Sequence, residues 1–126
     1  MNLQTLLNLL SLIGLNKNKL SEITTFIIKN PQILQGGITQ IISQVQETLR
    51  DTKLSFDVEF REEKGEKILF IILQIQNSNE RVETIVTRLR HLFLEIEDNT
   101  KILFNKVRFI VETKEKKRYY ITANNP

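Results

Sequence analysis

The fold is decided by residues 54–76, which read LSFDVEFREEKGEKILFIILQIQ. Apolar and polar side chains alternate over the first part of this stretch, which predicts a strand with one buried and one wet face. The Lys64-Gly65 pair lies in a charged segment and predicts a hairpin turn. The run from Ile68 to Ile75 is almost continuously apolar and rich in isoleucine. It therefore predicts an inner strand that is covered on both faces.

The pattern after this hairpin predicts one helix and two more strands. Apolar residues recur at helical spacing within 79–97, and Asn77, Ser78 and Asn79 are candidates for its N-cap. Strands are predicted at 102–113 and 118–122, with a charged turn between them. Because short turns join antiparallel strands, we expect a four-stranded antiparallel sheet in ββαββ order with helices packed on it.

Three helices are predicted before the sheet, over 2–13, 20–29 and 38–50. Gly14 and the Asn30-Pro31 pair end the first two, because glycine is common after a helix and the residue before proline avoids the α region. A chain of 126 residues can form one domain with a substantial core. We therefore predict a single α+β domain over 1–126. It has a helical subregion at 1–30 and an α-ββ-α-ββ core at 31–126.

The first helix is apolar over well more than half of its circumference, whereas a surface helix needs only a narrower stripe. Two explanations are open: the helix is buried in the core, or it docks against another protein. Its flanks lack the basic residues that anchor a helix at a membrane surface. We expect a protein interface, formed by Leu3, Leu6, Leu7, Leu10 and Ile13. The same helix or a second subunit is expected to cover the second face of the sheet.

The composition offers little for catalysis. The chain has no cysteine and a single histidine, so thiol nucleophiles, disulfides and histidine-rich metal sites are excluded. His91 lies on the polar side of its predicted helix. We predict no catalytic residue, cofactor, metal or small-molecule substrate.

A basic turn near the C-terminus is the second candidate site. Cations beside aromatic rings can bind phosphates and stack on bases. Glu112 and Glu115 interrupt the cluster, and the net charge of the chain is only +3. The predicted nucleic-acid contacts are Lys106, Arg108, Lys114, Lys116, Lys117, Arg118 and Tyr119.

The sequence therefore predicts a small non-enzymatic protein-binding, assembly or adaptor module that acts through its apolar N-terminal helix as a homodimer. The predicted exposure of Leu94 and the nearly uncharged outer side of the third helix agree with this prediction. The alternative is an RNA- or DNA-binding module that uses the basic hairpin. No apolar run approaches about 20 residues, so no membrane span is predicted. The expected location is the cytoplasm, because no secretory signal pattern is present.

Overall fold

The computed structural model describes residues 3–12 and 14–121. Four helices precede the sheet: α1 (Leu3–Leu12), α2 (Lys17–Lys29), α3 (Gln32–Gln35) and α4 (Ile38–Thr48). The remaining elements are β1 (Lys53–Glu63), β2 (Glu66–Asn77), α5 (Val82–Glu95), α6 (Asp98–Lys101), a 3₁₀ helix (Ile102–Asn105), β3 (Val107–Glu112) and β4 (Arg118–Ile121). The predicted α+β class is confirmed.

The β1–β2 hairpin has the turn that the sequence predicted. Glu63 pairs with Glu66, so only Lys64 and Gly65 lie in the loop. Both have positive φ, 53° for Lys64 and 80° for Gly65. A two-residue turn of this kind matches the twist of the flanking strands, and glycine adopts it without steric cost.

The sheet is mixed, so the expectation of a purely antiparallel sheet is wrong. Its order is β1-β2-β3-β4, and β2 runs parallel to β3. The two outer pairs are antiparallel. The parallel pair is possible because the connection through α5, α6 and the 3₁₀ helix returns the chain to the end of the sheet at which β2 began.

Two element boundaries also differ from the expectation. The predicted strand at 102–113 begins only at Val107, because the preceding residues form a 3₁₀ helix that buries Leu103 and Phe104. Helix α5 begins at Val82 rather than near residue 79. The hydroxyl of Ser78 accepts a hydrogen bond from the Glu80 N–H at 3.0 Å, which stabilises a turn before the helix.

The main core lies between the helices and one face of the sheet. Phe93 on α5 packs against Phe104 and Phe109, with ring centroids 4.9 and 5.1 Å apart. On the other side of the core, Phe26 of α2 meets Phe60 of β1 edge to face, at 5.3 Å. Side chains from α1 through β4 contribute to this one cluster. None of the helices in the described residues is long and apolar enough to cross a bilayer.

The opposite face of the sheet, here called the open face, carries a second apolar cluster of four buried side chains. Its members are Ile68, Phe70, Ile72 and Ile110. No helical residue of the described chain belongs to this cluster, so the expectation that α1 covers the second face is wrong. The sheet covers it with its own long side chains. The Arg61 guanidinium lies 4.6 Å from the ring centroid of Phe70 and 5.4 Å from that of Tyr120.

Candidate functional site

Two of the predicted interface leucines of α1 are buried inside the domain. Leu6 and Leu10 are 0% and 2% exposed and belong to the main core, so they contact the chain's own helices and sheet. Leu3 and Leu7 are half-buried, and Ile13 lies outside the described residues. Leu6 and Leu10 are therefore not accessible to a partner in the folded domain.

Leu12, at the end of α1, points into solvent instead. Its side chain is 85% exposed, the highest value among the exposed large apolar side chains of the described residues. Helical geometry explains the difference, because residues 6 and 10 are one turn apart on the buried side and residue 12 is turned away from them. The predicted exposure of Leu94 is also observed, at 42%.

Leu12 borders a groove of about 300 Å³. The floor consists of buried side chains from the end of α4 and the start of β1, namely Leu49, Thr52 and Phe56. The remaining lining residues are Gln46, Arg50 and Leu54. Strand alternation directs Leu54 and Phe56 towards the helices, so the groove runs between the helical layer and the outer edge of β1. The sequence pattern does not indicate this groove, because its walls come from three separate elements.

The basic residues predicted to bind nucleic acid are divided between two ends of the sheet. Lys106 and Arg108 lie at the start of β3, beside the β1–β2 turn. Lys114, Lys116 and Lys117 lie in the turn after β3. The strand between them spans roughly 20 Å at about 3.3 Å per residue. The structure therefore does not bring these cations together as one patch.

Most of these cations are also paired with carboxylates. Lys106 Nζ lies 2.9 Å from Glu66 and Arg108 Nη1 lies 2.7 Å from Glu63. In the part of the chain that is described, Lys114 and Lys117 form no ion pair. The ammonium of Lys117 lies 5.2 Å from the centroid of the Tyr119 ring.

Arg118 is the centre of the largest charged network on the open face. Its Nε donates to Glu112 at 2.8 Å, and its Nη1 donates to Glu59 at 3.2 Å. Because β2 and β3 separate β4 from β1, the bond to Glu59 carries the Arg118 side chain over the apolar cluster. Lys116 lies 3.7 Å from the same Glu112 carboxylate.

These hydrogen bonds shift the pKa values of Glu59, Glu112 and Arg118. Bonds from Arg61 and then Arg118 hold the pKa of Glu59 below its ordinary value. The bond from Arg118 does the same to the pKa of Glu112, against the opposing effect of burial. The two carboxylates raise the pKa of Arg118 in turn. The network is therefore fully charged at neutral pH and forms part of the fold.

A second, more polar cavity of about 300 Å³ lies where β2 and β3 end. It is lined by Gln76, Asn77, Ser78, Glu80 and Lys114, among others. The residues within 3–12 and 14–121 contain no group of three or more potential metal ligands. His91 is exposed on α5, next to Arg88 and Thr87 on an open surface.

Comparison with known proteins adds no family to this description. No protein-family model matches the sequence, and no curated protein or solved structure is significantly similar to it.

Proposed function

We propose that this chain is a non-enzymatic protein-binding module whose contact surface is the groove beside Leu12. The observation that carries the proposal is the nearly full exposure of this leucine at the rim of a groove whose floor includes the buried side chains of Leu49 and Phe56. Apolar side chains that line an exposed groove together are typical of surfaces that bind other proteins.

The N-terminal helix remains the contact element, but the residue that contacts the partner is Leu12 rather than Leu6 or Leu10. Leu6 and Leu10 stabilise the domain from inside, whereas Leu12 is available to a partner. A second copy of the chain is one possible partner. The cytoplasmic location and the absence of catalysis belong to the same proposal.

Nucleic-acid binding through the basic turn is less well supported. Arg118 and Lys116 are held by carboxylates of the same chain, and Lys106 and Arg108 lie at the far end of β3. Neutralising phosphates would require these cations to leave their present partners, which reduces the net gain.

The test is photo-crosslinking in the cells that make this chain. A photoreactive amino acid replaces Gln46, which lines the groove. We expect a discrete protein adduct that falls at least about fivefold in Leu12→Asp, because a charge at the rim opposes burial of the contact. An adduct of two copies would identify a homodimer.

The matched control is Leu94→Asp, which places the same charge on an exposed leucine of α5. This variant is expected to retain the adduct, and thermal unfolding should show that both variants are folded. No adduct at Gln46, or an equal adduct in both variants, would overturn the proposal.

A further inference from the structure

β1 is an edge strand, and every second residue directs its backbone N–H and C=O away from the sheet. Val58 is one of these outward-facing residues, because its N–H and C=O are hydrogen-bonded to side chains rather than to β2. The two-residue repeat then assigns outward backbone groups to Leu54, Phe56, Phe60 and Glu62.

The centre of this edge is blocked. Lys19 of α2 donates from its ammonium to the Val58 carbonyl at 2.9 Å. The Asp57 carboxylate accepts from the Val58 N–H at 2.8 Å and lies 2.7 Å from the same ammonium. This pair is here called the Lys19–Asp57 block. It occupies the N–H and the C=O of Val58, to which an added strand would otherwise hydrogen-bond. Charged side chains commonly protect natural sheet edges in this way.

The block leaves a short open window at the start of β1. Within the described residues, the outward groups of Leu54 and Phe56 meet no hydrogen-bond partner. The window spans roughly 10 Å, given about 3.3 Å per residue. The groove beside Leu12 lies directly along it, since Leu54 and Phe56 line both. The other open portion, around Glu62, carries exposed charges and no groove.

We infer that an extended segment of another protein binds this window as a fifth strand. Its backbone pairs with Leu54 and Phe56, and one of its apolar side chains enters the groove between Leu12 and Leu49. The unmet donors and acceptors of a strand edge are complementary to an extended chain, and a flanking pocket selects the side chain. This inference rests on the proposed function and names the class of partner.

The size of the window excludes a stable pairing of two β1 strands as its main use. Such a dimer would normally bury roughly 1,200–2,000 Å². The Lys19–Asp57 block separates the window from the open portion around Glu62, and β1 begins at Lys53. A single extended peptide fits between Lys53 and Val58, whereas the longer strand of a second sheet would clash with the Lys19–Asp57 block.

The experiment uses a synthetic peptide that alternates valine and threonine, with one lysine at each end. It is titrated into the full chain while the backbone amide signals are followed by NMR. We expect the shifts to be concentrated at 53–57 and at the groove residues. In Leu54→Pro the affinity should fall at least about tenfold, because proline removes the outward N–H and leaves the ladder to β2 intact.

Two variants make the outcome decisive. Leu54→Val keeps the N–H, so its affinity for the peptide should lie within about threefold of that of the original chain. Glu62→Pro removes an outward N–H outside the window, and its affinity should also lie within about threefold. The inference is overturned if the peptide does not bind, binds elsewhere, or binds Leu54→Pro as well as Leu54→Val. The crosslinking experiment distinguishes this inference from the proposed function. If the groove-dependent adduct forms in cells but the peptide does not bind in the titration, the proposed function is retained and only strand addition is excluded.

Discussion

Arg118 illustrates how a residue typical of a nucleic-acid site can serve the fold. Its guanidinium bonds Glu112 beside it on β3 and Glu59 at the far side of the sheet. The Glu112 side chain is only 5% exposed, so its charge is stable there because Arg118 donates to it. The stem of the arginine shields apolar side chains below, as long cationic side chains often do.

The pKa shifts in this network predict a dependence of stability on acid. The folded chain holds the pKa of Glu112 and of Glu59 below their unfolded values. Their contribution is therefore present above the ordinary glutamate pKa of about 4.3 and is lost as the pH falls through the lowered values. Urea unfolding between neutral pH and pH 3 measures this loss.

Glu112→Gln should weaken this dependence, because an amide does not titrate in this range. Glu115→Gln, at an exposed position of the adjacent turn, is the matched control and should retain the slope of the original chain. Equal slopes for the two variants would mean that Glu112 does not contribute to acid unfolding.

Strand β1 combines three roles at the level of the element. One side of its backbone forms the ladder to β2, and one set of its side chains packs under the helices. Its outer edge is closed at Val58 by the Lys19–Asp57 block and is open at Leu54 and Phe56. The same strand therefore limits uncontrolled pairing and leaves a short window for a partner.

Lys19→Met should lengthen the open edge, since methionine keeps the apolar stem and loses the donor to the Val58 carbonyl. We expect this variant to self-associate at concentrations at which the original chain does not change, because longer unprotected edges pair readily. Light scattering coupled to gel filtration measures the difference. Lys17→Met, on the exposed side of α2, is the control, and identical masses for both variants would exclude a protective role for Lys19.

At the scale of the whole molecule, the helices and the sheet form two layers, and no helix of the described residues joins the apolar cluster of the open face. Helix α1 belongs to the helical layer because Leu6 and Leu10 join the main core. The open face is kept from water by the arginine, tyrosine and glutamate side chains of the sheet itself. Within residues 3–12 and 14–121, the second apolar cluster is therefore buried without a contribution from the first helix.

Leucine substitutions on α1 test this arrangement. Leu6→Ala should lower the free energy of unfolding by about 2–5 kcal/mol, because it leaves a cavity in the core. Leu12→Ala removes the same atoms from an exposed position and should change stability by no more than about 0.5 kcal/mol. Urea unfolding of both variants provides the comparison. Similar values would mean that α1 is not docked as described.

The features that the sequence determined by itself are those that depend on neighbouring residues. Lys64 and Gly65 specify a tight turn because few residues adopt positive φ readily. The burial of β2 and the spacing of apolar residues on α4 and α5 follow from periodicities of two and of 3.6 residues. These patterns predicted that Leu54 and Phe56 face the core, without indicating the groove beside them.

Only the tertiary structure decided which of these elements meet. The direction of β3 depends on where a long connection returns to the sheet, and short-range patterns carry no record of that path. The pairing of Arg118 with Glu59 and of Lys19 with Val58 joins residues 59 and 39 positions apart. The first of these contacts binds Arg118, which the sequence predicted as a nucleic-acid contact, to a carboxylate of the same chain. These contacts leave the window at Leu54–Phe56 as the open part of the edge beside the Leu12 groove, because three distant segments converge there.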